Sequence, residues 1–432
     1  MVKVCFITLG CKVNQTESEA MAQLFRNAGY QLVDFRQIPD VVVINTCTVT
    51  NTGGSKSRQA IRRAIKAFPE SFVVVAGCYS QIAPAEVLGI PGVDLVLGTQ
   101  DRRQILKWIE YVRKTKKPYA AVRNIGQAQD FEEFPQIKEE SRTRAMLKIE
   151  EGCNRFCAYC IIPFARGPVR SRLPGNALAE AQKLVKAGYR EIVLTGIHIG
   201  AYGEDLAGGW DLAGLLKLLI GIPGLHRLRL GSLESVEFKA ELMEIISSSP
   251  VICPHLHIPL QSGSRQVLTK MQRPYTPADY RDLLEKLFRS VPGLAVTTDI
   301  IVGFPGESAA DHAQSLEFAA GCNFAGIHVF PYSQRQGTLA AAYPDQVSGR
   351  VKVQRVKEMR QVARESQEAY VKSRLGHTVE VLVERVDAQG RAFGHTENYL
   401  AVNLAPELKG GNWEAGQLVA VRLAPEHICP PK

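Results

Sequence analysis

Short apolar runs alternate with helical segments along most of this 432-residue chain. In its first part these runs are rich in Val and Ile. Continuous runs of this kind are typical of parallel strands buried on both faces, and strand–helix alternation builds βαβ units. The predicted strands are 2–9, 41–45, 72–76 and 93–97, and the predicted helices are 15–28, 55–68 and 102–112. The sequence therefore predicts an α/β domain with a parallel sheet over residues 1–125.

The same alternation resumes after residues 126–142, a polar and mostly acidic segment that predicts a linker. The predicted strands are 145–150, 191–195, 227–231, 255–260, 295–302 and 326–331, and the helices between them are 177–187, 212–220, 239–247, 277–290 and 309–320. Six strand–helix units of about 30 residues each predict a partial (βα)6 barrel over residues 143–367. In such barrels the reacting groups lie on the loops at the carboxyl ends of the strands.

The last part of the chain has a different period. From Gly376 onwards, apolar and polar residues alternate in short runs separated by glycines, which predicts a small antiparallel β-barrel. We place this domain at residues 368–432. Mixed basic and aromatic groups are typical of RNA-binding surfaces, and the candidates for RNA contact are Arg374, Arg391, Phe393 and Tyr399. The alternative is a barrel that only packs against the preceding domain.

Three cysteines, Cys153, Cys157 and Cys160, lie within eight residues directly after the first barrel strand. Clustered thiolates are ligands for soft metals and for iron–sulfur clusters. Three thiolates on a four-iron cluster would leave one iron open to a small molecule, as a catalytic zinc site leaves a position open for water. A partial zinc site and reduced structural cysteines are the alternatives.

Three strands of the N-terminal domain also end in a cysteine, at Cys11, Cys47 and Cys78. The carboxyl ends of parallel strands lie at one edge of a sheet, where open α/β sheets bind their ligands. The sequence therefore predicts a second three-cysteine metal site at this edge. The alternative is three ordinary buried cysteines, which are common in protein cores.

The C-x3-C-x2-C spacing of residues 153–160 resembles that of the radical S-adenosylmethionine (SAM) enzymes. The resemblance implies that these cysteines hold a [4Fe-4S] cluster whose open iron binds SAM, which is cleaved to a 5′-deoxyadenosyl radical. It implies no catalytic residue beyond the cluster-bound cofactors. The positions that it suggests for contact with SAM are Tyr159, Gly196, Ser232, Glu234 and Gly303.

Segments 8–15, 45–47 and 77–78 resemble the N-terminal domain of the methylthiotransferases, and the other motifs of that family follow in order along the chain. The resemblance implies a second, auxiliary [4Fe-4S] cluster on Cys11, Cys47 and Cys78 that holds or donates sulfur. It also implies that the tail is a TRAM domain, an OB-like RNA-binding module. The expected reaction replaces an aromatic C–H bond by C–S–CH3.

Segments 11–15 and 157–172 look most like the branch that acts on N6-threonylcarbamoyladenosine next to the anticodon of tRNA. The expected product is the 2-methylthio derivative. The expected partners are the tRNA anticodon stem-loop and an electron donor such as flavodoxin or ferredoxin. The alternatives are the isopentenyladenosine branch, the branch that modifies a ribosomal protein aspartate, and a non-enzymatic iron–sulfur RNA-binding protein, which would not cleave SAM.

The charge of the chain agrees with an RNA partner. Its formal net charge is +9, its pI is about 9.0, and two predicted helical segments, at 56–66 and 350–364, are strongly basic. Ten cysteines without a secretory signal predict reduced thiols and a cytoplasmic location. No apolar run reaches about 18 residues, so no membrane span is expected.

Overall fold

The computed structural model describes residues 1–134, 143–405 and 413–429. Its N-terminal elements are β1 (Lys3–Thr8), α1 (Lys12–Asn27), β2 (Gln31–Val33), β3 (Val41–Thr46), α2 (Asn51–Ala67), β4 (Phe72–Gly77), α3 (Cys78–Ile82), α4 (Pro84–Leu88), β5 (Leu95–Leu97), α5 (Ile105–Thr115) and β6 (Tyr119–Ala121). The strands form one six-stranded sheet in the order β2-β1-β3-β4-β5-β6, and all its pairings are parallel.

Both faces of this sheet are buried. In β3, Val41 and Val43 pack into one apolar core, whereas Val42 and Ile44 pack into the core on the opposite face. This two-sided burial explains the continuous apolar runs in the sequence. The predicted parallel sheet is confirmed. Its edge strands β2 and β6 were not predicted, because they are partly exposed and form no continuous apolar run.

The central elements follow the same strand–helix order. They are β7 (Arg144–Lys148), β8 (Glu150–Glu151), α6 (Ile162–Arg166), β9 (Arg170–Ser171), α7 (Pro174–Lys186), β10 (Glu191–Thr195), α8 (Leu212–Ile220), β11 (Arg227–Arg229), α9 (Ala240–Ser248), β12 (His255–His257), α10 (Arg265–Lys270), α11 (Pro277–Ser290), β13 (Ala295–Val302), α12 (Ala309–Ala320), β14 (Gly326–Pro331) and α13 (Gly349–Arg374). Strands β8 and β9 form a separate antiparallel pair.

Six strands of this unit pair in parallel, and they lie side by side in the same order as they follow along the chain. Two three-stranded parallel sheets, β7-β10-β11 and β12-β13-β14, are joined by parallel bridges from Leu228 to Ile252 and from Ser232 to His257. The large apolar core lies between these strands and their helices. The predicted succession of six parallel βα units is thereby confirmed.

The tail contains β15 (Thr378–Val386), β16 (Ala392–Thr396), β17 (Ala401–Leu404) and β18 (Leu418–Arg422). These strands form one antiparallel sheet in the order β17-β16-β15-β18, as the alternating sequence predicts. Helix α13 leads into the sheet without a break at residue 367, where the sequence predicts a domain boundary. No helix among the described residues is both long and apolar enough to cross a membrane.

Contacts of residues 133–134 and of the tail join the three units. Of the predicted linker 126–142, residues 135–142 lie outside the described residues. Before them, Phe134 packs on the N-terminal core, and Glu133 pairs with Arg172 of the central unit at 2.7 Å. The tail docks at the amino ends of the central strands, where Glu384 pairs with Arg144 at 2.9 Å and Glu380 contacts His226 at 2.8 Å.

Candidate active site

Cys11, Cys47 and Cys78, the N-terminal triplet, come together at the carboxyl edge of the first sheet. They follow β1, β3 and β4, which are neighbours in that sheet. The approach between two of their loops is very close, because a Cβ atom on Gly10 would lie 2.9 Å from the Cβ and 3.2 Å from the Sγ of Cys47. Gly10 also has φ = +106°, a conformation that favours glycine.

Burial opposes the ionisation of Cys47 and Cys78. Burial raises the pKa of Cys78 to about 12, against the attraction of Arg166, and the neighbouring Cys11 and Cys47 raise it further. Burial also raises the pKa of Cys47. Thiolates at this position therefore depend on positive charge, supplied by a bound metal group or by the protein.

The protein supplies one such charge through Arg166. This side chain is fully buried, and its Nε donates a hydrogen bond to the Sγ of Cys78 at 3.1 Å. One terminal nitrogen donates to Glu17 at 2.5 Å and to Glu151 at 2.9 Å, and the other donates to Asn14 at 2.5 Å. Arg166 therefore links Cys78 to side chains of both the N-terminal domain and the central domain.

Glu17 and Glu151 anchor a buried charge network around Arg166. Arg102 pairs with Glu17 at 2.5 Å, and Lys148 pairs with Glu17 at 2.9 Å and also contacts Glu151. These positive charges hold the pKa of Glu17 well below its usual value, although burial alone would raise it. The network joins α1 of the first domain to β7 and β8 of the second domain.

Cys153, Cys157 and Cys160, the barrel triplet, occupy the loop between β8 and α6. The loop is held by backbone hydrogen bonds from Cys160 to Cys157 at 2.9 Å and from Cys153 to Gly167 at 3.0 Å. Gly167 directly follows Arg166, so one short segment contacts both triplets. Burial raises the pKa of Cys160 to about 12.

Two basic side chains contact the barrel triplet. Arg273 donates to the Sγ of Cys157 at 3.2 Å and also pairs with Glu234. His198 places Nδ1 3.8 Å from the Sγ of Cys153, and its other ring nitrogen contacts Glu237. Although burial lowers the pKa of His198, Cys153 and Glu237 raise it to about 10. The triplet therefore lies among positive charges.

Three cysteines with a basic side chain beside them form a donor set that fits an iron–sulfur cluster. Three thiolates bound to one zinc ion lie about 3.8 Å apart, as follows from Zn–S distances near 2.3 Å. Within the described residues, the group of three metal-binding side chains whose donor atoms all lie within 4.8 Å of one another is His257, Asp299 and His328. Among the described residues, neither cysteine triplet forms a group that compact.

Two of the residues suggested for SAM contact, Tyr159 and Glu234, lie close to the barrel triplet, and a third, Gly196, lies in a crowded turn after β10. Tyr159 packs in an apolar cluster with Phe304, the neighbour of Gly303. A Cβ atom on Gly196 would lie 2.7 Å from the carboxylate of Glu150, so this turn has space for glycine alone. Glu234 reaches Cys157 through Arg273.

Ser232 and Gly303 are the two other positions suggested for contact with SAM. Ser232 is exposed and forms a backbone bridge with His257. Gly303 has φ = +73°, and a Cβ atom there would lie 2.4 Å from the side chain of Lys352. The missing side chain of Gly303 therefore makes room for α13.

The residues suggested for RNA contact fall into two groups. Arg391 is exposed and pairs with Asp387 at 2.8 Å, and the ring of Phe393 lies 3.9 Å from the guanidinium of Arg385. Arg374 instead packs against the turn at Gly293 of the central domain.

Tyr399 is enclosed by charged side chains of the other domains. Its ring centre lies 4.7 Å from the guanidinium of Arg229, 5.3 Å from that of Arg144 and 5.8 Å from the Nζ of Lys12. Tyr399 and Arg374 therefore serve contacts between domains, whereas Arg391 and Phe393 lie on the outer part of the tail.

Sequence reasoning did not identify the arginines that contact the cysteines. Arg166 and Arg273 lie 88 and 116 positions from the cysteines that they contact, so spacing gives no signal. Charged residues are usually on the surface, and a pattern cannot show that these two are buried.

Comparisons with known proteins agree with this geometry. Residues 3–98 match the model of the "Uncharacterized protein family UPF0004", and residues 147–319 match that of the "Radical SAM superfamily". In solved structures, the radical SAM methyltransferase TsrM from Kitasatospora setae has a TM-score of 0.59 at 14% identity, over 79% of this chain and 77% of that one. That likeness concerns the fold alone.

Sequence relatives are closer. The chain is 46% identical to threonylcarbamoyladenosine tRNA methylthiotransferase MtaB of Bacillus subtilis (strain 168) over 98% of this chain and 94% of the relative. It is 36% identical to MtaB of Aquifex aeolicus over 97% and 100%. It is also 36% identical to tRNA-2-methylthio-N(6)-dimethylallyladenosine synthase of Moorella thermoacetica over 88% and 86%. The chain belongs to the radical SAM methylthiotransferase family, in its MtaB-like branch.

Proposed function

We propose that the protein methylthiolates C2 of N6-threonylcarbamoyladenosine next to the anticodon in tRNA, which gives 2-methylthio-N6-threonylcarbamoyladenosine. Similarity to MtaB proteins over nearly the whole chain supports this activity. The observation that carries the proposal is the presence of two cysteine triplets held next to each other through Arg166. In this proposal the barrel triplet serves radical formation, and the N-terminal triplet serves the delivery of sulfur.

In this proposal each triplet holds one [4Fe-4S] cluster. When bound, the two clusters and SAM supply the radical, the methyl group and the sulfur. The chain contributes position and charge: Arg273 holds Cys157, His198 holds Cys153, and Arg166 holds Cys78. The contacts to SAM at Tyr159 and at the other suggested positions remain part of the proposal.

Lys12 favours the threonylcarbamoyl branch over the isopentenyl branch. It directly follows Cys11 and is exposed. Burial lowers the pKa of His255 and of His328 on the barrel strands, and the charge of Lys12 adds a smaller effect in the same direction. Among the described residues, Lys12 forms no ion pair, and its contact is with the ring of Tyr399. A cation in this position suits the carboxylate of the threonyl group, which the isopentenyl group lacks.

The antiparallel sheet of the tail supports its assignment as a TRAM-like RNA-binding domain. Arg391 and Phe393, with Arg385 beside the ring, offer a cation and an aromatic face of the kind that contacts RNA. We further propose that the protein works in the cytoplasm, binds the anticodon stem-loop, and receives electrons from a donor such as flavodoxin or ferredoxin.

Nucleoside analysis of tRNA from a strain without the gene tests the proposal. We expect 2-methylthio-N6-threonylcarbamoyladenosine to disappear and its unmethylthiolated precursor to accumulate. Loss of methylthiolated isopentenyladenosine instead would assign the protein to the other tRNA branch. The purified protein should also turn over tRNA lacking the threonylcarbamoyl group poorly, and equal turnover of both tRNAs would contradict the branch assignment.

A further inference from the structure

Helix α2 presents an exposed basic face that begins beside the N-terminal triplet. The start of the helix is tied to Cys47: Ser57 donates to the Cys47 carbonyl at 2.8 Å and accepts from its N–H at 3.2 Å. The helix contains five basic residues and no acidic residue, and its basic residues are Lys56, Arg58, Arg62, Arg63 and Lys66. Like charges four positions apart destabilise a helix, so an anion bound to this face would stabilise it.

Acidic side chains of the described residues neutralise little of this positive charge. Within the described part of the chain, the ion pair formed by α2 is Arg58 with Glu86, at 3.7 Å and largely exposed. Helix α13 provides a comparison, because its basic residues are interspersed with Glu358, Glu365 and Glu368. Both helices are basic, but α2 differs from α13 because α2 contains no acidic residue of its own.

A groove extends this face towards the cysteine edge. It has a volume of about 1040 Å³ and is lined by α2, by residues 79–86 and by residues 334–342. Arg58 and Arg335 lie in its wall, together with Glu86, the ion-pair partner of Arg58. Arg335 is held at 2.6 Å from Asn51 and 2.5 Å from Thr48, the residue after Cys47. Its Nε is buried and has no hydrogen-bond partner within the part of the chain that the structure describes. Arg58 also lines a second depression of about 840 Å³ that continues along the helix to Lys66.

We infer that this face and groove bind the phosphate backbone of the tRNA that carries the target adenosine. The inference rests on the proposed function, since it takes tRNA as the substrate. An enzyme that acts on a base must bring that base to its reacting groups, and here these groups lie at the carboxyl edges of the strands. The tail pairs with the amino ends of the barrel strands, so contacts of the RNA with another part of the protein would help to hold it at the cysteine edge.

The dimensions suit a nucleic acid strand. From Arg58 to Lys66 the helix rises by about 12 Å, which spans several successive phosphates. Phosphate contacts fix the position of a nucleic acid without reading its sequence. The α2 face would thus orient the RNA, and the choice of base would be left to the cysteine edge.

Neutralising the helix tests this inference. The test variant is Arg62→Gln, Arg63→Gln and Lys66→Gln, and the matched control is Lys357→Gln, Arg360→Gln and Arg364→Gln on α13, which removes the same charge. Binding of the full-length tRNA and of its anticodon stem-loop is measured over a range of salt concentrations. At about 0.7 per contact on a single strand and about 0.9 on duplex DNA, loss of three phosphate contacts should reduce the slope of log K against log salt by about 2.1 to 2.7.

The inference predicts weaker binding and a smaller salt slope for the α2 variant, with the control variant equal to the wild type. Iron content and thermal unfolding of each variant show that the fold is kept. An equal loss of tRNA affinity in both variants would show that only the overall charge of the protein matters, and it would overturn the inference. Unchanged tRNA binding, together with slower reduction by an acidic flavodoxin and normal reduction by dithionite, would assign the face to an electron donor. A wild-type protein that binds no tRNA would overturn the proposed function itself.

Discussion

The two cysteine triplets are assembled in different ways. The barrel triplet comes from eight consecutive residues of one loop, whereas the N-terminal triplet comes from the ends of three strands between Cys11 and Cys78. The first can form wherever its loop is held. The second exists only when β1, β3 and β4 are paired in register. Destabilisation of the first sheet should therefore disrupt the N-terminal site while the barrel site persists.

The largest expected effect comes from removing the barrel triplet. With Cys153, Cys157 and Cys160 all changed to Ala, iron in reconstituted protein should fall from about eight to about four atoms per chain, if each triplet holds a four-iron cluster. SAM cleavage and methylthiolation should both stop. Iron analysis and assay of 5′-deoxyadenosine provide the measurement. Complete loss of iron, or zinc in its place, would contradict two independent sites.

Removing the N-terminal triplet should separate the two roles. With Cys11, Cys47 and Cys78 changed to Ala, the barrel loop keeps its ligands, so 5′-deoxyadenosine should still form when reductant is present. Methylthiolated nucleoside should be absent. Normal product from this variant would exclude the N-terminal triplet as the sulfur site.

The same contrast explains what the sequence could predict. Both triplets follow from local spacing and from the rule that parallel strands end at one edge. The positions of most parallel strands along the chain follow from apolar runs, but β2 and β6 are partly exposed and have no such run. The contacts of Arg166 and the placement of Tyr399 between domains depend on packing of distant segments, which no local pattern encodes.

Arg166 and Arg273 allow each triplet to be perturbed alone. Hydrogen bonds to cluster sulfurs and nearby positive charge influence reduction potential. Arg166→Met should lower the potential of the N-terminal cluster, and Arg273→Met should lower that of the barrel cluster. Potentiometric titration followed by electron paramagnetic resonance distinguishes the two.

Arg102→Met is the matched control for Arg166→Met. Arg102 is equally buried and pairs with the same Glu17, but among the described contacts it touches no cysteine. Both variants should lose about 3–5 kcal/mol of stability, because each breaks a buried ion pair. If the two variants shift the N-terminal potential equally, the hydrogen bond to Cys78 has no specific effect.

Two buried carboxylates near the triplets should respond to pH in opposite directions. Burial raises the pKa of Glu150 to about 8, whereas Arg102, Arg166 and Lys148 hold that of Glu17 well below its usual value despite burial. Glu150 therefore contributes stability at low pH that is lost as the pH rises from about 4.3 to about 8, by at most about 1.4 kcal/mol per pH unit. Glu17 contributes stability above about pH 4.3 that is lost as the pH falls.

Denaturant unfolding of the apo-protein at several pH values measures both effects. Glu150→Gln should gain stability relative to the wild type as the pH rises from 5 to 8. Glu17→Gln should be less stable than the wild type at pH 6, and the difference should shrink in acid. A constant difference between Glu150→Gln and wild type from pH 5 to 8 would show that Glu150 ionises normally in the folded protein.

The smallest expected effect concerns Lys12, through which the loop of the N-terminal triplet would also select the substrate. An exposed charge pair is worth up to about 1 kcal/mol, or about fivefold in binding. Lys12→Met should therefore raise KM for tRNA carrying the threonylcarbamoyl group by about fivefold, and Lys12→Arg should restore most of it. Iron content checks that the neighbouring Cys11 is undisturbed. With tRNA that lacks the threonylcarbamoyl group, Lys12→Met and wild type should react equally, since no carboxylate is present. An equal loss on both tRNAs would instead show that Lys12 contacts a phosphate and takes no part in the choice of nucleoside.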